Sequence, residues 1–306
     1  MYFYLIGIDH KTAPIGIREA AYWQRARVSG FLAEHYAGRA TILATCNRFE
    51  IYGVSENRHE AEAAVAVLKG RFAAFFNGAY VIYREDNVLR HLVRLAAGVE
   101  SQVFGELQIS GQLCAWAGQD RFPVSLGRLV YDALLAANDI RIEHGLNRPE
   151  KNIAVHIYDR VLAETEPDRL LNMIVLGTGS MASLFADYKP RDVRLSFAAR
   201  KNILKAAGLA ERSGGSAFLL QELPGRLVDA DVLISATASP HRILGKNYFS
   251  KIAMLRKKDL HVYDLALPRD IEPAVKGIEG IILKNIDEVA ANADIKNRLK
   301  AEPLSH

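Results

Sequence analysis

One short segment constrains this chain more than any other. Ile174-Val175-Leu176-Gly177-Thr178-Gly179-Ser180-Met181-Ala182 is a G-x-G-x-x-A run that follows an apolar strand and opens a helical stretch. Small residues are needed at three of its places. Gly177 permits the tight turn, Gly179 lets an anion approach the main chain, and Ala182 lets helix and strand pack closely. The helix N-terminus then faces the anion. Gly177, Thr178, Gly179, Ser180, Met181 and Ala182 are therefore candidate residues for holding a dinucleotide pyrophosphate.

The surroundings agree with such a turn. Met173–Leu176, Val193–Phe197, Val232–Ser235, His261–Leu265 and Gly280–Leu283 are short apolar runs separated by helical or loop segments. That alternation predicts a doubly wound, Rossmann-like parallel sheet with crossover helices. A fold that holds NAD usually sets an acid about 20 residues beyond the turn, against the ribose 2′-hydroxyl. Here Leu195-Ser196-Phe197-Ala198-Ala199 is followed by Arg200 and Lys201. Two cations suit a 2′-phosphate, which points to NADP. Solvating a helix start is the commoner fate of a basic pair taken by itself.

The first half reads differently. Phe3–Ile8 is a strand, Arg25–Tyr36 a helix, Ala40–Thr45 an apolar run and Glu50–Val54 a strand. Glu60–Phe76 is a helix and Ala79–Tyr83 a strand, which completes the ferredoxin-like α+β order. Asn87–Ala97 and then Glu106 to about Asn147 are helical, and Asn147-Arg148-Pro149-Glu150-Lys151-Asn152 reads as a connection. A helix over Ile153–Glu164 follows it, and the tail after Asp287 reads as one helix ending before Pro303. The expected organisation is a catalytic, substrate-binding domain over 1–150 and an NADP-binding domain over 151–306, in keeping with 306 residues.

Composition excludes several classes. Half the residues are hydrophobic, and 39 basic against 35 acidic residues leave a net charge of +4. A disordered chain, a fibre and a polybasic scaffold are ruled out. Two cysteines, Cys46 and Cys114, exclude a disulfide framework and fit a reducing compartment. The N-terminus lacks the pattern of a signal peptide, and no apolar run approaches the length of a membrane span. A cytoplasmic protein without a metal site is expected.

Cys46 lies in Leu43-Ala44-Thr45-Cys46-Asn47-Arg48-Phe49-Glu50, where an apolar strand turns polar. It can be a small buried hydrophobe, or a thiol that Arg48 favours as thiolate. Cys114, in Gln112-Leu113-Cys114-Ala115-Trp116, is read as packing.

Several ordered segments together resemble the glutamyl-tRNA reductase family, which opens the five-carbon route to tetrapyrroles. They are Gly7-Ile8-Asp9-His10-Lys11-Thr12-Ala13-Pro14 with Ile17-Arg18-Glu19, Thr45-Cys46-Asn47-Arg48, and His91-Leu92-Val93-Arg94-Leu95-Ala96-Ala97-Gly98. Glu100-Ser101-Gln102-Val103-Phe104-Gly105-Glu106-Leu107-Gln108-Ile109 follows, then the glycine turn. Ala230-Asp231-Val232-Leu233-Ile234-Ser235-Ala236-Thr237-Ala238-Ser239-Pro240-His241 and Asp264-Leu265-Ala266-Leu267-Pro268-Arg269-Asp270-Ile271 come last.

The resemblance implies NADPH-dependent reduction of glutamyl-tRNA(Glu) to glutamate-1-semialdehyde, with Cys46 as the nucleophile that carries a thioester. It implies a substrate site from Thr45, Asn47, Arg48, Ser101, Glu106, Leu107, Gln108 and Gln112. Arg48 would clamp the glutamyl carboxylate, Glu106 would neutralise its ammonium group, and Leu107 would offer its backbone. His91 matches a histidine important for activity; acid–base work and a hydrogen-bonded structural role stand equal. Glutamate-1-semialdehyde aminomutase and glutamyl-tRNA synthetase are the implied protein partners.

The family normally continues into a spinal helix and a dimerisation domain. This chain stops at His306, so a short member lacking that domain is expected, with the family dimer in doubt. Gly105-Glu106-Leu107-Gln108 replaces Gly-Glu-Pro-Gln, and Ala136-Ala137-Asn138-Asp139-Ile140-Arg141 replaces a basic run. Two other readings remain: a non-catalytic or regulatory relative that binds tRNA, haem or a pathway enzyme, and a small-acid dehydrogenase of the shikimate type.

Overall fold

The fold is that of a computed structural model, which describes residues 1–120, 122–146, 152–166 and 169–291. The chain divides into two compact units, Met1–Lys151 and Asn152–His306.

The first unit begins with β1 (Tyr2–Asp9), α1 (Ile15–Trp23), α2 (Arg25–Tyr36), β2 (Ala40–Ala44) and β3 (Arg48–Ser55). It continues with α3 (Arg58–Arg71), α4 (Ala73–Phe76) and β4 (Tyr80–Tyr83). The sheet order is β2-β3-β1-β4, antiparallel throughout, as the ferredoxin-like order requires. Tyr4, Ile6 and Ile8 of β1 pack with Phe49, Ile51 and α1–α4 on one face. Phe3, Leu5, Leu43 and Tyr52 pack on the other, with α5 (Glu85–Ala96), α6 (Gln108–Ala117) and α7 (Val124–Glu143). Because both faces are covered, β1 reads as a continuous apolar run rather than an alternating one.

Three details differ from the sequence expectation. The helix α1 was not anticipated. The helical run from Glu106 is two helices, since α6 ends at Gly118 and Pro123 precedes α7; a proline cannot donate the bond that would continue the helix. The helix over Glu60–Phe76 divides at Phe72. The connection read over 147–152 lies outside the described residues except for Asn152, and most of the tail lies outside them too.

The loop between α5 and α6 is held from below. Gly98 and Gly105 have φ of +77° and +80°, a region that favours glycine. A Cβ on Gly98 would stand 2.7 Å from the Glu106 carbonyl oxygen. Arg141 of α7, only 3% exposed, donates to the carbonyls of Ala97 at 2.9 Å, Gly105 at 2.8 Å and Leu146 at 2.9 Å.

The second unit comprises α8 (Ile153–Ala163), β5 (Leu171–Leu176), α9 (Ser180–Asp187), β6 (Val193–Ala199), α10 (Ile203–Ser213) and β7 (Ser216–Leu219). Then come α11 (Leu223–Asp229), β8 (Val232–Ser235), α12 (Lys246–Ala253), β9 (Leu260–Asp264) and β10 (Ile281–Asn285). Its parallel sheet runs β10-β9-β8-β5-β6-β7. This is the doubly wound order, and the direction of winding reverses between β5 and β8. Strand β7, short and edge-lying, escaped the apolar pattern.

Candidate active site

The Thr45-Cys46-Asn47 segment is the tip of the β2–β3 hairpin. Thr45 N–H donates to the Arg48 carbonyl at 3.0 Å and closes the loop. Thr45 Oγ1 accepts from Asn47 N–H at 3.2 Å, and the Asn47 carbonyl accepts from His10 N–H at 2.9 Å. From α1, Arg18 reaches across and donates to the Cys46 carbonyl at 2.5 Å. Cys46 is a free, half-buried thiol; Cys114 is free and exposed.

Beneath the tip lies a buried charged network. Arg48 and Glu50 are 1% and 0% exposed, and they share a face of β3 because strand residues two apart point the same way. Arg48 donates to Glu50 at 2.8 Å and to the Glu100 carbonyl at 2.7 Å, while its Nε has no partner. Glu50 also accepts from Tyr52 at 2.7 Å and from Tyr80, and pairs with His91 Nε2 at 3.0 Å. These partners hold the Glu50 carboxyl well below the ordinary range against the opposing effect of burial. The carboxylate-clamp role expected of Arg48 does not fit this placement, because both terminal nitrogens already serve Glu50 and Glu100. His91 sits on α5 as a hydrogen-bonded partner of Glu50, the geometry of the structural reading.

The electrostatics at the thiol also depart from expectation. Burial, and after it the charge of the nearby Glu106, push the Cys46 thiol up to about 12, because Arg18 and Arg48 only partly offset them. Burial lifts the Glu106 carboxyl itself to about 7. Arg48 thus favours the thiolate in sign but does not prevail in the resting site. Ser101 is buried in the glycine-held loop, and its N–H donates to the Gly98 carbonyl at 3.3 Å. Leu107 precedes α6 and is 42% exposed. Gln108 and Gln112 lie one turn apart on α6 and share a face. Gln112 and Thr45 line one cavity of about 240 Å³.

In the second unit the glycine turn stands at the C-terminal end of β5, beside the switch point. Gly177 has φ of +124°, and a Cβ there would meet the Ala236 carbonyl oxygen at 2.4 Å. A Cβ on Gly179 would meet nothing within 4 Å, which leaves space over its main chain. Gly179 precedes α9 with no side-chain cap, so the first N–H groups of that helix are free for an anion. Arg200 and Lys201 follow β6, exposed and without an ion pair among the described residues. Asn202 caps α10 by accepting from Lys205 N–H at 3.2 Å. The open space over Gly179 and the free N–H groups of α9 fit a dinucleotide pyrophosphate.

Residues 6–143 match the family described as "Glutamyl-tRNAGlu reductase, N-terminal domain", and residues 162–291 match "Shikimate / quinate 5-dehydrogenase". A glutamyl-tRNA reductase of Thermus thermophilus is 35% identical over 305 residues, covering 97% of this chain and 75% of the relative. The chain belongs to the glutamyl-tRNA reductase family. A Marinobacter nauticus glutamyl-tRNA reductase is 33% identical over 305 residues, with 93% of this chain and 69% of the relative covered. The glutamyl-tRNA reductase structure from Methanopyrus kandleri aligns at 25% identity over 98% of this chain and 76% of that one, with a TM-score of 0.46.

This glutamyl-tRNA reductase relative is of an oxidoreductase family with a dehydrogenase-like nucleotide fold. Among the described residues no helix is long and apolar enough to cross a membrane, and no cluster of His, Cys, Asp or Glu could hold a metal. Sequence reasoning missed Arg18, Glu50, Tyr80 and Arg141 as parts of the site's frame. A signal existed for Glu50: Arg48 and Glu50 stand two apart in an otherwise apolar strand, which places opposite charges side by side. Nothing local marks Tyr80, whose partner Glu50 is 30 residues away, or the hold of Arg141 on Ala97 and Gly105, 44 and 36 residues away.

Proposed function

We propose that this chain reduces glutamyl-tRNA(Glu) to glutamate-1-semialdehyde with NADPH, through a thioester on Cys46. The supporting observation is the thiol at a hairpin tip between two arginines and Glu106, in a member of this family. Cys46 Sγ attacks the ester carbonyl carbon. A carbon–sulfur bond forms, the carbon–oxygen bond to ribose breaks, and the departing ribose oxygen takes up a proton.

The resting thiol is protonated, so substrate must help to activate it. The glutamyl ammonium group paired with Glu106 cancels the charge that raises the thiol. Arg18 and Arg48 then act on the sulfur with less opposition. Thr45, Asn47, Ser101, Gln108 and Gln112 offer hydrogen bonds to the bound glutamyl group, and Leu107 offers its main chain.

NADPH, when bound, would supply the hydride that reduces the thioester, and Cys46 would release the aldehyde and take back its proton. The N–H groups after Gly177 and Gly179 would hold the pyrophosphate, with Arg200 and Lys201 on the 2′-phosphate. The test is incubation with glutamyl-tRNA and NADPH and trapping of the semialdehyde. Wild type yields product, and Cys46→Ala yields none; equal product from the two overturns the reading. The protonated thiol also favours a second reading, a relative that binds glutamyl-tRNA without turning it over, and the same assay separates the two through NADPH consumption.

A further inference from the structure

We propose that the cavity along the free edge of β2 seats the terminal adenosine of an aminoacylated RNA 3′ end. The inference rests on the glutamyl-tRNA reading above and assigns it a second subsite, for the alcohol that leaves.

Strand β2 pairs with β3 alone and is an edge of its sheet. The ladder parity shows which groups are unused. Thr45 N–H bonds the Arg48 carbonyl and Val54 N–H bonds the Arg39 carbonyl. Odd residues of β2 therefore face β3, and the N–H and C=O groups of Ile42 and Ala44 point to the open edge. The cavity of about 240 Å³ is lined by Ile42 through Thr45, by Arg25 of α2, by Gln112, Ala115 and Trp116 of α6, and by Gln119 just after that helix. Helix α2 packs on one face of the sheet and α6 on the other, so a cavity touching both lies across the strand edge itself.

Its chemistry suits a purine nucleoside. A strand edge offers alternate donors and acceptors, and adenine presents an adjacent donor and acceptor on its Watson–Crick edge. Trp116 also lines the cavity; it is 3% exposed, and its indole N–H is buried without a partner. Arg25 is exposed and has no ion pair among the described residues; it can meet a phosphate at the rim. Trp23, 51% exposed, lies two residues earlier as a stacking platform for a neighbouring base. The place is right as well: Thr45 and Gln112 join the cavity to the loop that holds Cys46. An extended peptide adding to β2 would need a longer open edge than these four residues give.

The test is Ala115→Phe, which fills the cavity from an exposed helical position. Two readouts are taken on the full chain. The first is binding of the oligonucleotide 5′-CCA. The second is acylation of Cys46, followed by intact mass, with glutamyl-tRNA and with the α-glutamyl thioester of N-acetylcysteamine, which lacks any nucleoside. The proposal expects wild type to bind CCA and the variant to bind at least tenfold more weakly. It expects the KM for glutamyl-tRNA, relative to the small thioester, to rise at least tenfold in the variant. Arg25→Glu should weaken CCA binding and flatten its salt dependence. Equal CCA binding by wild type and Ala115→Phe, no CCA binding by wild type, or a parallel loss of both acylation reactions overturns it. If wild type is acylated by neither substrate, the glutamyl-tRNA reading fails, and CCA binding still decides the subsite.

Discussion

Around Cys46, the groups that set the chemistry come from five separate stretches: Arg18 on α1, Arg48 and Glu50 on β3, Tyr80 on β4, His91 on α5 and Glu106 before α6. Around Gly177, the corresponding groups are six consecutive residues and the main chain they carry. The first arrangement buries charge and depends on long-range packing to keep it paired. The second depends on backbone geometry, with little more than space and free N–H groups. A site of the first kind fails when any one partner is removed; a site of the second kind fails only when its small residues are enlarged.

The largest expected effect breaks the second arrangement and leaves the first. Gly177→Val places branched carbon where even a Cβ would stand 2.4 Å from the Ala236 carbonyl oxygen, at φ of +124°. NADPH binding, followed by nucleotide fluorescence, should be lost, while Cys46 still takes up the glutamyl group from a small thioester. Wild-type NADPH affinity in this variant would show that the turn is not held by backbone approach.

The same contrast explains what could be read before the fold was known. The glycine turn, five of the six strands of its sheet and the strand–helix order of the first unit are local, periodic signals, and they are visible in segments such as Ile174–Ala182 or Phe3–Ile8 directly. Cys46, Asn47 and Ser101 were named through the family resemblance. The state of the thiol was not legible, because burial and Glu106 outweigh Arg48 only once segments 60 residues apart have packed. Arg48 itself was misread for a similar reason: its partners are Glu50 and the Glu100 carbonyl, and the second of these is fixed by a loop that Arg141 holds from a distant helix.

Next in size is the removal of one buried partner. Glu50→Ala leaves the Arg48 guanidinium without its carboxylate in a site that is 1% exposed, and breaking a buried pair this way costs about 3–5 kcal/mol. Urea unfolding should shift the first unit by that amount, with the second unit unmoved. Glu50→Gln, which keeps the shape and some hydrogen bonds, should lose less. A loss below about 1 kcal/mol for Glu50→Ala would mean that the network does not frame the site.

A smaller effect separates the units by acid. Glu50 and Glu100 are both held below their ordinary 4.5, Glu100 to about 2, by their cationic and hydrogen-bonding partners. Their stabilisation is present above pH 4.5 and is lost as pH falls toward 2, because the unfolded chain then binds more protons. In the second unit, burial raises Asp264 to about 7 from 3.8, and the sign reverses. The folded chain keeps that proton as pH rises from about 4 to 7, so this group makes the unit less stable over that window, by a few kcal/mol at about 1.4 kcal/mol per unit. Glu106 adds the same trend to the first unit between 4.5 and 7. The units should therefore diverge below pH 4.5, with the first unfolding earlier on acidification, as followed by amide exchange. Asp264→Asn should flatten the slope of the second unit between pH 4 and 7.

The smallest effect asks whether the contrast reaches down to local structure. Asn57 caps α3 by accepting from Glu60 N–H at 3.0 Å, and Asn202 caps α10 by accepting from Lys205 N–H at 3.2 Å. Both contacts are exposed, both are made within three residues, and each is worth about 1 kcal/mol against alanine. Asn57→Ala and Asn202→Ala should then lower the melting temperature of their own unit by similar small amounts. If Asn57→Ala proved several-fold more damaging, the first unit would be fragile throughout, and the sensitivity of its site would not be a property of the buried charges at all.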